Sequence, residues 1–225
     1  MKRRARRLAL LLLGWPLVGM AGGCGSQNSG VWFNYLQLMR ESLHASLGDS
    51  AVTRAQAAAV PYASLGYRIN GSRESLLVLA TDENGEQMWT SASHVVLNFR
   101  DGRLVRTVGL PHDSAQHPAR GDTQPSVSQA LKSTFRSARL VDMPDRGVYS
   151  VPLLCTATAG VPQTVIILGT ALATRRVDET CSSSYPRWSF TDSYWIDSAT
   201  GFVWRSIQHP HPAITIETEI LRPPG

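Results

Sequence analysis

From Pro61 onward the chain is a succession of short strand-forming runs joined by turns of only a few residues. In "HVVLNFRDGRLVRTVGL", Asp101 and Gly102 stand between two apolar runs, and glycine tolerates the positive φ that a tight hairpin demands. "DENGE" punctuates "SLLVLATDENGEQMWTSA" in the same way, and "DSATG" divides "RWSFTDSYWIDSATGFVWRSIQH". Connections this short cannot contain a crossover helix, so neighbouring strands must run antiparallel. "GVYSVPLLCTATAG", "QTVIILGTALATRRVDETC" and "AITIETEILRP" extend the series. The expected fold is therefore mainly β: a curved antiparallel meander, open or half-closed like part of a barrel, whose curvature limits exposed edges. Period-two alternation places Trp188, Phe190, Asp192 and Tyr194 on one face and Ser189, Thr191, Ser193 and Trp195 on the other.

Helical spacing occurs elsewhere. In "VWFNYLQLMRESLHASLG", Trp32, Tyr35, Leu36, Met39, Leu43 and Leu47 share one face and Gly48 is placed to end the element. This predicts an N-terminal helix packed on the sheet. A shorter helix is expected in "DSAVTRAQAAAVP", closed by Pro61. "PHDSAQHPARGDTQP" reads as a surface loop leading into a mid-chain helix, "SVSQALKSTFRSA", with Val127, Leu131, Thr134 and Phe135 facing the sheet.

The first 23 residues have the layout of an export signal: Lys2, Arg3, Arg4, Arg6 and Arg7, an apolar core from Leu8 to Met20, then Ala21, Gly22 and Gly23. That core is shorter than the roughly 20 residues a membrane span needs. Cys24 directly follows small residues, the pattern of a thiol that receives a diacylglycerol before cleavage makes it the new N-terminus. Several acyl chains on one cysteine suffice for stable membrane attachment. Ordinary secretion and an uncleaved anchor are the alternatives. Gly25, rather than an aspartate, follows the cysteine and favours the outer membrane, periplasmic face. The expected organisation is a signal peptide over 1–23, a lipidated tether over 24–30 and a single β-rich periplasmic domain over 31–225.

The formal charge of +5 invites a nucleic-acid reading, but removing the five signal charges leaves 17 residues of each sign. No long basic stripe remains, so nucleic acid is not an expected partner. With Cys24 committed to lipid, Cys155 and Cys181 are left. In an oxidising compartment they point to one disulfide, two buried thiols being the alternative.

Catalytic constellations are not recognisable. His44, His94, His112, His117, His209 and His211 do not form a metal-ligand motif, and the prolines beside His117, His209 and His211 indicate turns. Ser91 and His94 lack an orienting acid, and Asp142, Asp145, Asp192 and Asp197 have no spacing that defines a glycosidase pair. The expectation is a non-enzyme with neither metal nor cofactor. Trp32, Trp89, Trp188, Trp195 and Trp204 offer flat amphipathic rings for a sugar or an apolar ligand, with core packing as the alternative.

Two blocks carry a family resemblance: "WTSASHVVLNFRDGRLVRTVGL" and "WIDSATGFVWRS", together with "PYASLGYRING". The chain resembles the YjbF/GfcB family of outer-membrane lipoproteins, encoded with exopolysaccharide and group 4 capsule operons. The resemblance implies a β-rich domain with an accessory, non-catalytic part in assembling or exporting a surface polysaccharide. A carrier of lipid or lipoprotein acyl chains in a β-sheet cavity, and a polysaccharide-modifying hydrolase, are the alternatives. Partners would be the membrane, through the lipid, and polysaccharide or export-machinery proteins. Trp89, Arg103, Arg106, Trp195, Trp204 and Arg205 are the candidate contact surface, the arginines because planar guanidinium groups suit acidic sugars.

Overall fold

The computed structural model describes residues 52–119 and 124–225. Cys24 and the predicted Trp32–Leu47 helix lie outside these residues. The chain enters through a six-residue helix, Arg54–Ala59, whose first turn is closed by reciprocal bonds between Thr53 and Gln56. Val60 ends it in an extended conformation ahead of Pro61.

Twelve strands follow: β1 Ser64–Ile69, β2 Ser75–Glu83, β3 Glu86–Thr90, β4 Val96–Arg100, β5 Arg103–Val108, β6 Ala115–Pro118, β7 Phe135–Met143, β8 Val148–Ile167, β9 Thr170–Ser184, β10 Arg187–Ile196, β11 Val203–His211 and β12 Ile214–Arg222. Each pairs antiparallel with its sequence neighbours, and β1 also pairs with β12, closing the sheet. The closing register sets Leu65 opposite Ile220, Tyr67 opposite Thr218 and Ile69 opposite Ile216. This corrects the expected open or half-closed meander with two packed helices. Closure rests on a pairing between the first and last strands, which no local pattern encodes. The expected mid-chain helix is only a 3-10 turn, Val127–Leu131. Phe135 begins β7, where Ser137, Arg139, Val141 and Met143 alternate inward.

A cylinder of twelve strands would be too wide for side chains to fill. Here β5 and β11 touch across the interior, so the barrel is flattened. Leu104 N donates to Gln208 Oε1 at 2.8 Å, and Gln208 Nε2 donates to Gly102 O at 3.2 Å. On one side of this contact Leu65, Tyr67, Leu77, Trp89, Leu97 and Ile216 form the largest apolar cluster. On the other, Val141, Met143, Leu153, Trp188 and Phe190 surround Cys155 and Cys181. Those cysteines face each other directly across β8 and β9 and are bonded to one another.

Strands β8 and β9 continue past their other partners as a two-stranded arm. Its inner face, Val165, Ile167 and Leu172, covers Trp195, Ile207 and Leu221 on the outside of the barrel. The Arg54 guanidinium donates to Leu168 O and Thr170 Oγ1 at the arm's tip.

Candidate functional site

The interior carries charge at positions whose strand parity points inward. Glu179 on β9 and Arg103 and Arg139 on β5 and β7 are at most 2% exposed. Arg103 Nη2 donates to Glu179 Oε1 at 2.9 Å and its Nε lies 3.1 Å from Oε2, while Arg139 Nη1 reaches Oε2 at 2.8 Å. Arg103 also donates to Pro125 O. The chain continues from Arg139 Nη2 to Cys181 Sγ at 3.2 Å and to Asp192 Oδ2 at 3.4 Å. Asp192 Oδ1 in turn accepts from the His209 backbone amide at 2.8 Å. Burial alone would push the Glu179 carboxyl up, but Arg139 and Arg103 outweigh it and hold it below the ordinary carboxylate range. Burial, aided by Asp192 and Glu179, pushes the Tyr194 phenol well above its usual value. These carboxylates are committed to internal cations, an arrangement that fixes side chains rather than one poised for proton transfer.

A cavity of about 230 Å³ opens at one end of the barrel. Its rim is built from the turns around Gly85, Asp101–Gly102 and Gly201, together with Ser126, at the end where β1 begins. Trp89, Phe99 and Phe202 supply aromatic walls; Gln87, Ser206 and Thr218 supply polar groups. Asn84 and Gly85, and Asp101 and Gly102, have φ between 49° and 83°, as two-residue hairpins require. A Cβ on Gly102 would lie 2.5 Å from Val203 Cγ2, so β5 approaches β11 here only because this residue has no side chain.

At the opposite end, the turns after β5 and β7 and the last residue of β11 bring His112, Asp145 and His211 together. Asp145 Oδ2 is 2.6 Å from His112 Nδ1, and Oδ1 is 3.5 Å from His211 Nε2. The two imidazoles stack at 4.8 Å with 4° between their planes. One ion could not lie in both ring planes, so a metal would require the rings to tilt apart. Ser91 Oγ accepts from Val95 N and pairs with Ser93, inside a turn that also ties His94 N to Ser91 O.

The sequence-derived contact residues separate into three places. Trp89 is fully buried in the apolar cluster and cavity wall, and Arg103 is buried on Glu179. Arg106 is exposed on β5. Trp195 and Arg205 adjoin on the outer face, while Trp204 packs against both the outer cluster around Trp195 and the interior apolar cluster. Trp195 Nε1 donates to Gln163 Oε1 at 2.7 Å, and Arg176 and Arg205 lie over its ring at 5.5 and 5.0 Å. Arg205 also faces Glu217 and Glu219 at 3.7 and 3.5 Å. Sequence reasoning missed Arg139 and Glu179. The available signal was their parity: Arg139 shares a strand face with Val141 and Met143, and Glu179 with Val177 and Cys181.

The model of the family described as "Group 4 capsule polysaccharide lipoprotein gfcB, YjbF" matches residues 39–221. The uncharacterized lipoprotein GfcB of Escherichia coli (strain K12) is 28% identical over 192 residues, covering 83% of this chain and 90% of that one. The uncharacterized lipoprotein YjbF of the same organism is 28% identical over 150 residues, covering 62% of this chain and 65% of its own. The crystal structure of the hypothetical lipoprotein YmcC from Escherichia coli (K12) superposes with a TM-score of 0.72 at 26% identity, covering 89% of this chain and all of that one. With the family model spanning most of the barrel, the chain belongs to the group 4 capsule polysaccharide lipoprotein family of gfcB and YjbF.

Proposed function

We propose that this protein is a lipid-anchored barrel on the periplasmic face of the outer membrane, with an accessory, non-catalytic part in assembling or exporting a capsular or extracellular polysaccharide. The observation that carries this reading is the family match across 39–221. The exterior supports a barrel bathed in water. Asp178, Thr180 and Ser182 on β9, Thr191 on β10, and Glu217 and Glu219 on β12 point away from the core. A barrel that crosses a membrane instead presents an apolar band outward. Attachment then falls to Cys24, whose acyl chains insert while the domain stays in solution.

The interior speaks against the acyl-carrier reading. Trp89, Arg139 and Tyr194 are among the largest fully buried side chains, and the Arg103–Glu179–Arg139 network lies within the core. The apolar-walled cavity is below the roughly 300–1,000 Å³ of ordinary ligand pockets. The partners we infer are the polymer or proteins of its export machinery, and not nucleic acid. The test combines membrane fractionation and N-terminal mass spectrometry with incubation of purified protein and polymer. A diacylglyceryl-modified Cys24 in the outer membrane and unchanged polymer length are expected. Polymer shortening would establish the hydrolase instead, and an unmodified Cys24 would remove the anchor.

A further inference from the structure

We propose that the cavity at the β1 entry end binds a single neutral pyranose residue, a reading that rests on the polysaccharide role above and adds a site to it. The lining combines aromatic walls with hydrogen-bonding groups. Phe202, half-buried at the rim, provides a face on which the C–H surface of a sugar ring can pack, with the buried Phe99 and Trp89 forming the wall behind it. Gln87 and Thr218 provide an amide and a hydroxyl at the same cavity, backed by the buried Ser206 hydroxyl, which also accepts from Gln208 Nε2. Ser206 Oγ and Thr218 Oγ1 are 2.7 Å apart, held as a pair on adjacent strands.

Size and charge narrow the class. At ~30 Å³ per water, 230 Å³ corresponds to roughly eight waters, room for one sugar ring and not for an extended acyl chain. A half-open site for one ring at the end of a barrel suits a terminal or branching residue rather than a continuous strand of polymer. The charged side chain in the lining is Asp101, whose carboxylate accepts sugar hydroxyls and repels a uronate. Arg103, which would otherwise attract an acid, is consumed by Glu179 and Pro125 O. The two sequence blocks also converge here: Trp89, Asp101 and Gly102 come from one, Gly201, Val203 and Ser206 from the other.

The test titrates the full mature chain in detergent with methyl galactoside, methyl glucoside, methyl glucuronide and dodecanoate, reading tryptophan fluorescence and saturation-transfer NMR. Saturable binding of a neutral glycoside is expected, with the glucuronide weaker and dodecanoate unable to compete. Phe202→Ala should weaken binding by about fivefold or more. Asp101→Asn, which retains a residue suited to positive φ, should narrow the gap between neutral and acidic glycosides. Circular dichroism confirms that both variants fold. No saturable glycoside binding, binding indifferent to Phe202→Ala, or displacement by dodecanoate would overturn the site. If glycosides fail while a strain lacking the protein still loses surface polymer, the cavity proposal falls and the accessory role stands.

Discussion

Glu179→Gln removes one charge and almost no volume, yet it should be among the most destabilising single changes in the barrel. Glu179 is 0% exposed, and its two oxygens bond Arg103, 2% exposed, and Arg139, 1% exposed. The amide would leave two buried guanidinium groups with Asp192, 3.4 Å from Arg139, as the nearest counter-charge among the described residues. Breaking a buried pair from one side costs about 3–5 kcal/mol, because the remaining charge stays desolvated. With a urea m-value of roughly 2–3 kcal/mol/M for a domain this size, the midpoint should fall by about 1–2 M. Urea unfolding followed by tryptophan fluorescence, with the disulfide kept oxidised, measures it. Replacing Arg103, Arg139 and Glu179 by Leu, Met and Met together with Asp192→Asn should cost much less, since the buried Asp192 carboxylate that faces Arg139 is then removed along with the other three charges. A Glu179→Gln midpoint within about 0.3 M of wild type would refute the reasoning, because at that m-value the loss stays below ~1 kcal/mol.

Gly102→Ala should cost about 2–4 kcal/mol, combining a left-handed φ of 83° with a Cβ placed 2.5 Å from Val203; thermal or urea denaturation checks it. Cys155→Ser with Cys181→Ser frees a loop whose ends are 26 residues apart and should lower stability by about 2–4 kcal/mol while preserving the β-type circular dichroism spectrum. Acidification should destabilise the end of the barrel that carries His112, Asp145 and His211. Burial pushes the His211 ring below its ordinary 6.5, opposed by Asp145 and reinforced by His112 and Arg146, and the bond from His112 holds Asp145 below 3.8. The unfolded chain therefore binds more protons at both groups, so stability is lost as pH falls below 6.5 for His211 and below 3.8 for Asp145. A urea midpoint measured against pH should decline less steeply below 6.5 in His211→Asn, and an unchanged slope would contradict this.

Local features were legible where turn chemistry or alternation decided them. Asp101–Gly102 and Asn84–Gly85 form tight turns, and Asp197 Oδ1 accepts from Ala199 N and Thr200 N, as hairpin-forming residues dictate. The two faces of β10 separate as its period of two requires, with Tyr194 inside and Trp195 outside. Long-range closure was not legible, because β1 and β12 are ordinary alternating strands whose pairing depends on the shape of the whole sheet. The mid-chain helix failed for a physical reason: from Phe135 the backbone pairs with β8 and Arg139 turns inward onto Glu179 and Cys181 of β9, and that tertiary demand overrides the helical spacing of Leu131 and Phe135. Strand β6, "AQHP", looked like loop because it is short, polar and ends in proline, and it gains its register from β7. Of the candidate contact residues, Trp89 and Arg103 could not be placed without knowing which face was internal. A tryptophan and an arginine beside turns read equally well as surface or as core.

The most direct test of the account is surface polysaccharide in a strain lacking this chain, complemented with wild-type protein or with Cys24→Ser. Polymer should be synthesised but depleted from the surface in the deletion strain. Wild-type protein should restore it, and Cys24→Ser should fail to do so despite an intact, folded barrel. Normal surface polymer in the deletion strain, with unchanged chain length and secretion, would contradict the proposed role.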